Sequence, residues 1–192
     1  MRNPLELWSE YKQALTQQLE GAYPDALRNA WQSHDAQKNF YLRHLLPRMA
    51  SQMQCRVGKH NVFSVDAELH RTTEQGYQVP IVFLDVVPDA FQSDDSIGKM
   101  CSLAAPIKVL ITSARWSDDL WPQQGTERDA LLRMWDDHLR AHVNVWPQMG
   151  IVAVLIGEWT HELRFSALAW DQLIGDFIED KLVFSRVEST YN

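Results

Sequence analysis

The chain has 192 residues, a mass of 22.2 kDa and a formal net charge of −7 at pH 7. This length suffices for one domain that buries roughly 70% of the unfolded surface, so its stability requires neither a disulfide nor a metal. The acidic balance disfavours a protein that coats nucleic acid, no apolar run approaches the roughly 20 residues of a membrane helix, and the N-terminus is polar. We therefore expect a soluble, cytoplasmic protein with no membrane partner.

The first 57 residues predict a helical N-terminal part. Apolar residues recur at helical spacing from Pro4 to Glu20, which indicates an amphipathic helix that ends near Gly21. Pro24 then begins a second helix. Residues 40–53 are again helical, and Pro47 within them either kinks this helix or begins a new one.

Two strands follow and predict a hairpin. Residues 60–71 alternate with period two, and the polar run TTEQG separates them from a second strand at residues 79–87. If the connecting loop has an even length, Asp66 and Asp85 point to the same face, because residues directly opposite across an antiparallel pair share a side. A slip of one residue separates them.

A helix with acids in its first turn runs from Ser93 to Ala105, and a continuous apolar strand occupies residues 107–112. A strand, a helix and a strand at this spacing predict a right-handed parallel crossover. The continuous apolar pattern of the second strand is typical of a strand whose two faces are both covered.

The remainder predicts a loop at 114–125, a helix from Thr126 to Val145, strands at 150–157 and 161–168, a helix at 170–179 and a final strand or extended tail at 182–187. Trp116 and Trp121 in the loop are predicted surface aromatics. Cys55 and Cys101 form no CxxC pair, so we expect free buried thiols. Residues 1–192 are thus predicted to form a single α/β domain, a mixed central sheet flanked by helices with N-terminal helical cover.

Three acids on the predicted hairpin, Asp66, Glu68 and Asp85, form the strongest chemical pattern. Carboxylates that converge on one side are suited to a hard cation such as Mg²⁺, which polarises a phosphate and activates water. A nearby ammonium, here that of Lys99, would neutralise charge that develops on phosphoryl oxygens.

The order of these elements resembles the PD-(D/E)XK, or restriction-endonuclease-like, nuclease superfamily. FSVDAELH matches the first acid at Asp66, IVFLDVVPD matches the second at Asp85, and SDDSIGKMCSLAAPIKVLIT looks like the crossover helix and core strand of some bacterial members. The resemblance covers about residues 62–113. It implies a restriction-endonuclease-like fold and a Mg²⁺-dependent phosphodiesterase acting on nucleic acid, with Asp66, Asp85 and Glu68 as metal ligands.

One position departs from the superfamily pattern. The motif lysine is expected two residues after Asp85, where this chain has Val87. Some members are described with the lysine displaced to the following helix, so the resemblance implies Asp66, Asp85 and a displaced Lys99 as the catalytic set. The alternative is a pseudo-nuclease, in which Lys99 is a solvated helix residue and the protein acts by binding nucleic acid or a protein partner.

Residues 36–65 contain no Asp or Glu. The cations of this segment include four predicted nucleic-acid-binding residues: Arg43, Arg48, Arg56 and Lys59. The alternative is an amphipathic helix whose solvated face happens to be basic.

Two further features invite functional interpretations. His138 and His142 have the i, i+4 spacing of a zinc pair, but Leu139 stands where a metalloprotease has its Glu, so buried hydrogen-bonded histidines are favoured. Glu158 ends an apolar strand and is predicted to be solvated.

Overall fold

The structure is a computed structural model that describes residues 3–58, 64–117, 127–146 and 150–187. Its helical elements are α1 (Pro4–Glu20), α2 (Pro24–Ala30), α3 (His34–Asn39), a π-helical turn (Phe40–Leu45), α4 (Leu46–Gln52), a 3₁₀ turn (Ala90–Gln92), α5 (Asp94–Ser102) and α6 (Glu127–Val145). Its strands are β1 (Arg56–Val57), β2 (Ala67–Thr72), β3 (Gln78–Val87), β4 (Ile107–Ser113), β5 (Ile151–Trp159), β6 (Glu162–Asp171) and β7 (Asp176–Val187). The predicted Lys59 and Trp121 lie outside the described residues.

The strands form one mixed sheet in the order β1 to β7. Its centre, β3, β4 and β5, is parallel, whereas the outer pairs are antiparallel. One apolar cluster packs the N-terminal helices against one face, and a second packs α5 and α6 against the other. The predicted α/β class, with a mixed sheet flanked by helices and N-terminal helical cover, is therefore confirmed.

The N-terminal helices follow local signals in the sequence. Asn3 and Glu6 form a capping box at the start of α1, which buries Trp8 and Tyr11. Pro47 lies in the first turn of α4, and the helical backbone enters this turn without a break from the π-helical turn that precedes it. Of the two predicted roles of Pro47, the unbroken helical backbone from α3 through the π-helical turn to α4 favours a distortion within one helix over the start of a new helix.

The central hairpin and crossover place the acids. β2 pairs antiparallel with β3 so that Ala67 lies opposite Leu84, and α5 connects β3 to the parallel strand β4. Asp66 directly precedes β2, at the level of Asp85 on β3. The register shifts between Leu69 and His70, farther along the same pair.

Two sequence predictions are wrong. Residues 170–179 are not helical but form the end of β6, a turn and the start of β7. Trp170 is fully buried against Phe177 with ring centroids 4.9 Å apart, and Gly175 has the positive φ of 71° that the turn requires. Trp116 is not a surface aromatic, because it is only 4% exposed and stacks on Trp135.

Cys55 and Cys101 form no disulfide and are both buried, as predicted. Within the described ranges, none of the helices combines the length and apolar character that a bilayer crossing requires.

Candidate acid and lysine site

Asp85 lies in β3 with its side chain turned toward α5 and is 5% exposed. Ser96 Oγ donates to Asp85 Oδ2 at 2.7 Å, and Lys99 Nζ donates to the same oxygen at 2.8 Å. Ser96 and Lys99 are neighbours on one face of α5 because they are three residues apart. Lys99 therefore reaches back to the acid of β3 instead of extending into solvent.

The contact stabilises a charge that the sheet has largely removed from water. A carboxylate with so little exposure requires hydrogen-bond donors and an opposite charge in contact with it, because burial removes the water that would otherwise solvate it. Lys99 supplies both a donor and a positive charge, and its own side chain remains 31% exposed. The pair thereby fixes α5 to the centre of the sheet.

Asp66 has different partners. Its Oδ2 accepts the backbone N–H of Val86 at 2.9 Å, and its Oδ1 lies 2.5 Å from Lys38 Nζ on α3. Val86 directly follows Asp85 on β3, so Asp66, which directly precedes β2, lies beside the strand that carries Asp85. Each nevertheless contacts the lysine of a different helix.

Glu68, the third predicted acid, is 3% exposed. Its Oε2 lies 2.8 Å from His70 Nε2, two residues along the same strand, while its Oε1 is buried without a hydrogen-bond partner. Phe83 is its cross-strand neighbour on β3. The hydrogen bonds of Glu68 thus connect it neither with Asp66 nor with Asp85.

These contacts test whether the acids suit Mg²⁺, which prefers about six oxygen ligands in octahedral geometry. Among the described residues, no group of three His, Cys, Asp or Glu side chains is placed to hold a metal ion. Lysine ammonium groups contact Asp66 and Asp85, and His70 contacts Glu68. The arrangement does not fit the ion, so we derive no chemical step through a metal.

The basic segment presents three of its predicted residues to solvent. Arg43 on the π-helical turn, Arg48 on α4 and Arg56 on the edge strand β1 are all exposed. No carboxylate of the described residues forms an ion pair with any of the three. Lys38, from the same acid-free segment, is instead bound to Asp66.

The structure corrects two other sequence predictions, those for Glu158 and His138. Glu158 is only 6% exposed and accepts the backbone N–H groups of Trp116 and Ser117 at 3.0 and 3.2 Å, so it is not solvated as predicted. His138 Nδ1 lies 2.9 Å from Asp94 Oδ1 at an exposed position, and the His138 ring stacks on that of His142. The predicted hydrogen bond is present, but the prediction that it is buried is wrong.

Sequence analysis missed a buried cation. Lys108 in β4 is fully buried, and its Nζ donates to Oε1 of the buried Gln172 at 2.7 Å. Burial lowers the pKa of Lys108 to about 8. The signal in the sequence was a single charge inside the apolar run IKVLIT, whose two faces are both covered.

No protein-family model matches this chain, and a search of curated proteins gave no match either. The resemblance to restriction-endonuclease-like proteins therefore stays a prediction.

Proposed function

We propose that this protein binds nucleic acid and is a catalytically silent relative of nuclease-like proteins. The observation that carries this proposal is the separate pairing of the two predicted catalytic acids, Asp66 with Lys38 and Asp85 with Lys99. Both acids have a structural partner, and the third acid is bound to His70. Such a site holds helices on a sheet without requiring a bound cation.

The exposed arginines support a nucleic-acid partner. Phosphate binding draws on clustered Lys and Arg, and Arg43, Arg48 and Arg56 come from a segment without a single acid. Because no described carboxylate forms an ion pair with them, a phosphate would not have to displace one. The net charge of −7 disfavours phosphate binding over the rest of the protein.

The test is a titration of labelled DNA and RNA at several salt concentrations, with each arginine changed to alanine. Since the slope of log affinity against log salt is about −0.9 per phosphate contact on duplex DNA, each change should reduce its magnitude by about 0.9. Arg133→Ala is the matched control, because Arg133 is exposed on α6, far along the chain from the basic segment. Absence of salt-dependent binding, or an equal effect of Arg133→Ala, would contradict the proposal.

A second candidate, a Mg²⁺-dependent phosphodiesterase, is favoured by one observation. Lys99 contacts Asp85, as the displaced lysine of that hypothesis should. Calorimetric titration with Mg²⁺ and Mn²⁺, together with a cleavage assay on single-stranded and duplex substrates, separates the candidates. Metal binding that Asp66→Ala abolishes, with cleavage that Asp85→Ala abolishes, would replace the silent-site proposal; neither is expected.

A further inference from the structure

A cleft of about 450 Å³ opens between α2, α3 and the π-helical turn. Its volume falls in the range of small-molecule sites, roughly 300–1,000 Å³. The polar and aromatic side chains that line it are Tyr23, Asn29, Asn39, Phe40, His44 and Arg48. The cleft adjoins the basic segment, but it contains only one of the three exposed arginines.

The charge of the cleft suits an anion. Arg48 and His44 lie one helical turn apart and are both exposed, and no carboxylate is present among the lining residues that the structure describes. Guanidinium groups bind phosphate through paired N–H donors. Arg43 and Arg56 lie outside the lining, which distinguishes Arg48 from them.

The aromatic and amide groups suit a nucleobase. Tyr23 at the rim is 82% exposed, whereas Phe40 is 5% exposed, and both line the cleft. An exposed ring offers a face on which any base can stack. Asn29 and Asn39, both exposed, place amide donors and acceptors on the walls, where they can meet the edge of a base.

We infer that this cleft binds one unpaired nucleotide of a nucleic acid strand, with its base on Tyr23 and a phosphate at Arg48 and His44. This inference rests on the proposed nucleic-acid binding and adds that single strands or strand ends are preferred. A base within a duplex has both faces stacked and its pairing edge occupied, so it cannot enter such a cleft.

Fluorescence anisotropy with labelled oligonucleotides tests the inference. The probes are a single strand, a blunt duplex, the same duplex with an unpaired overhang, and adenosine monophosphate as a competitor. Because stacking contributes about 1–3 kcal/mol per base, Tyr23→Ala should weaken binding of the strand and of the overhang by about 5- to 150-fold, whereas Tyr23→Phe should retain it. Binding of the blunt duplex should be unaffected by either variant.

Arg56→Ala is the matched control, since it removes an exposed arginine of the same segment outside the cleft. Arg56→Ala should weaken single-strand binding and duplex binding by the same factor, whereas Arg48→Ala should weaken single-strand binding more than duplex binding. Circular dichroism checks that Tyr23→Ala is folded. We expect a native spectrum, because the Tyr23 side chain is exposed and contributes little to the core.

The outcomes separate the two proposals. If the native protein binds none of the oligonucleotides, the proposed function itself fails. If it binds them but Tyr23→Ala leaves the preference for unpaired strands unchanged, only the cleft inference fails. Adenosine monophosphate that binds in a Tyr23-dependent manner without displacing the strand would assign the cleft to a free nucleotide and overturn the strand inference.

Discussion

Replacement of Lys108 by Met tests how the interior of the sheet accommodates a cation. The fully buried amine has a pKa of about 8 against an ordinary value of 10.5, because burial disfavours its charged form. At about 1.36 kcal/mol per pH unit, this difference corresponds to a destabilisation of about 3 kcal/mol below pH 8. Methionine keeps most of the apolar stem and removes the ammonium group.

The direction in which stability changes with pH follows from proton linkage. Between pH 8 and 10.5 the unfolded chain holds the Lys108 proton more firmly than the folded chain, so the free energy of unfolding contributed by this residue rises with pH. From pH 7 to pH 9 the rise is about 1.3 kcal/mol. In Lys108→Met this contribution is absent, and the variant gains most, relative to the native protein, below pH 8.

Urea unfolding of both proteins at pH 7, 8 and 9 measures the effect. The variant leaves Gln172 Oε1 without its donor, at a cost of about 1–3 kcal/mol, but that cost does not change with pH. Burial raises the pKa of Cys101 to about 11, which opposes the rise above pH 9 in both proteins and largely cancels in their difference. Equal pH dependence in the two proteins would refute the reasoning.

Two further predictions concern packing and pairing. Lys99→Met should destabilise the fold by about 2–4 kcal/mol in urea unfolding, because it leaves the buried Asp85 without its cation. Lys38→Met should cost at most about 1 kcal/mol, because the Lys38 side chain is 43% exposed; equal losses in the two variants would contradict the ranking. Gly157→Ala should lower stability by about 1–3 kcal/mol in thermal unfolding, since its Cβ would lie 2.8 Å from Trp31 Cζ2; an unchanged Tm would show that Trp31 moves aside freely.

Local signals predicted the elements that carry the acids. Helix α1 follows from apolar residues at helical spacing that stop before a glycine, and the β3–α5–β4 crossover follows from two apolar runs on either side of a helix with acids in its first turn. Residues 170–179 misled the prediction because Trp170 and Phe177 face each other across a hairpin, and this pairing over a turn resembles helical spacing in the sequence.

The candidate site could be predicted only in part. The Lys99 contact with Asp85 follows from a short crossover that returns α5 over its own strand. The Lys38 contact with Asp66 depends on how α3 docks on the sheet, and no local pattern encodes that docking. Trp116 is buried although its neighbours in sequence are polar, because its partner Trp135 comes from a distant helix.

The two edges of the sheet are unequal, and this asymmetry governs self-association. The edge strand β1 has two residues, too few to template another strand, whereas β7 at the opposite edge extends over twelve. The exposed charges of Asp180 and Lys181 and the two register shifts between β6 and β7 disfavour pairing of β7 with a second chain. Because Leu182 on the same edge is 54% exposed, these charges and register shifts are the features that oppose strand addition at a long and partly apolar edge.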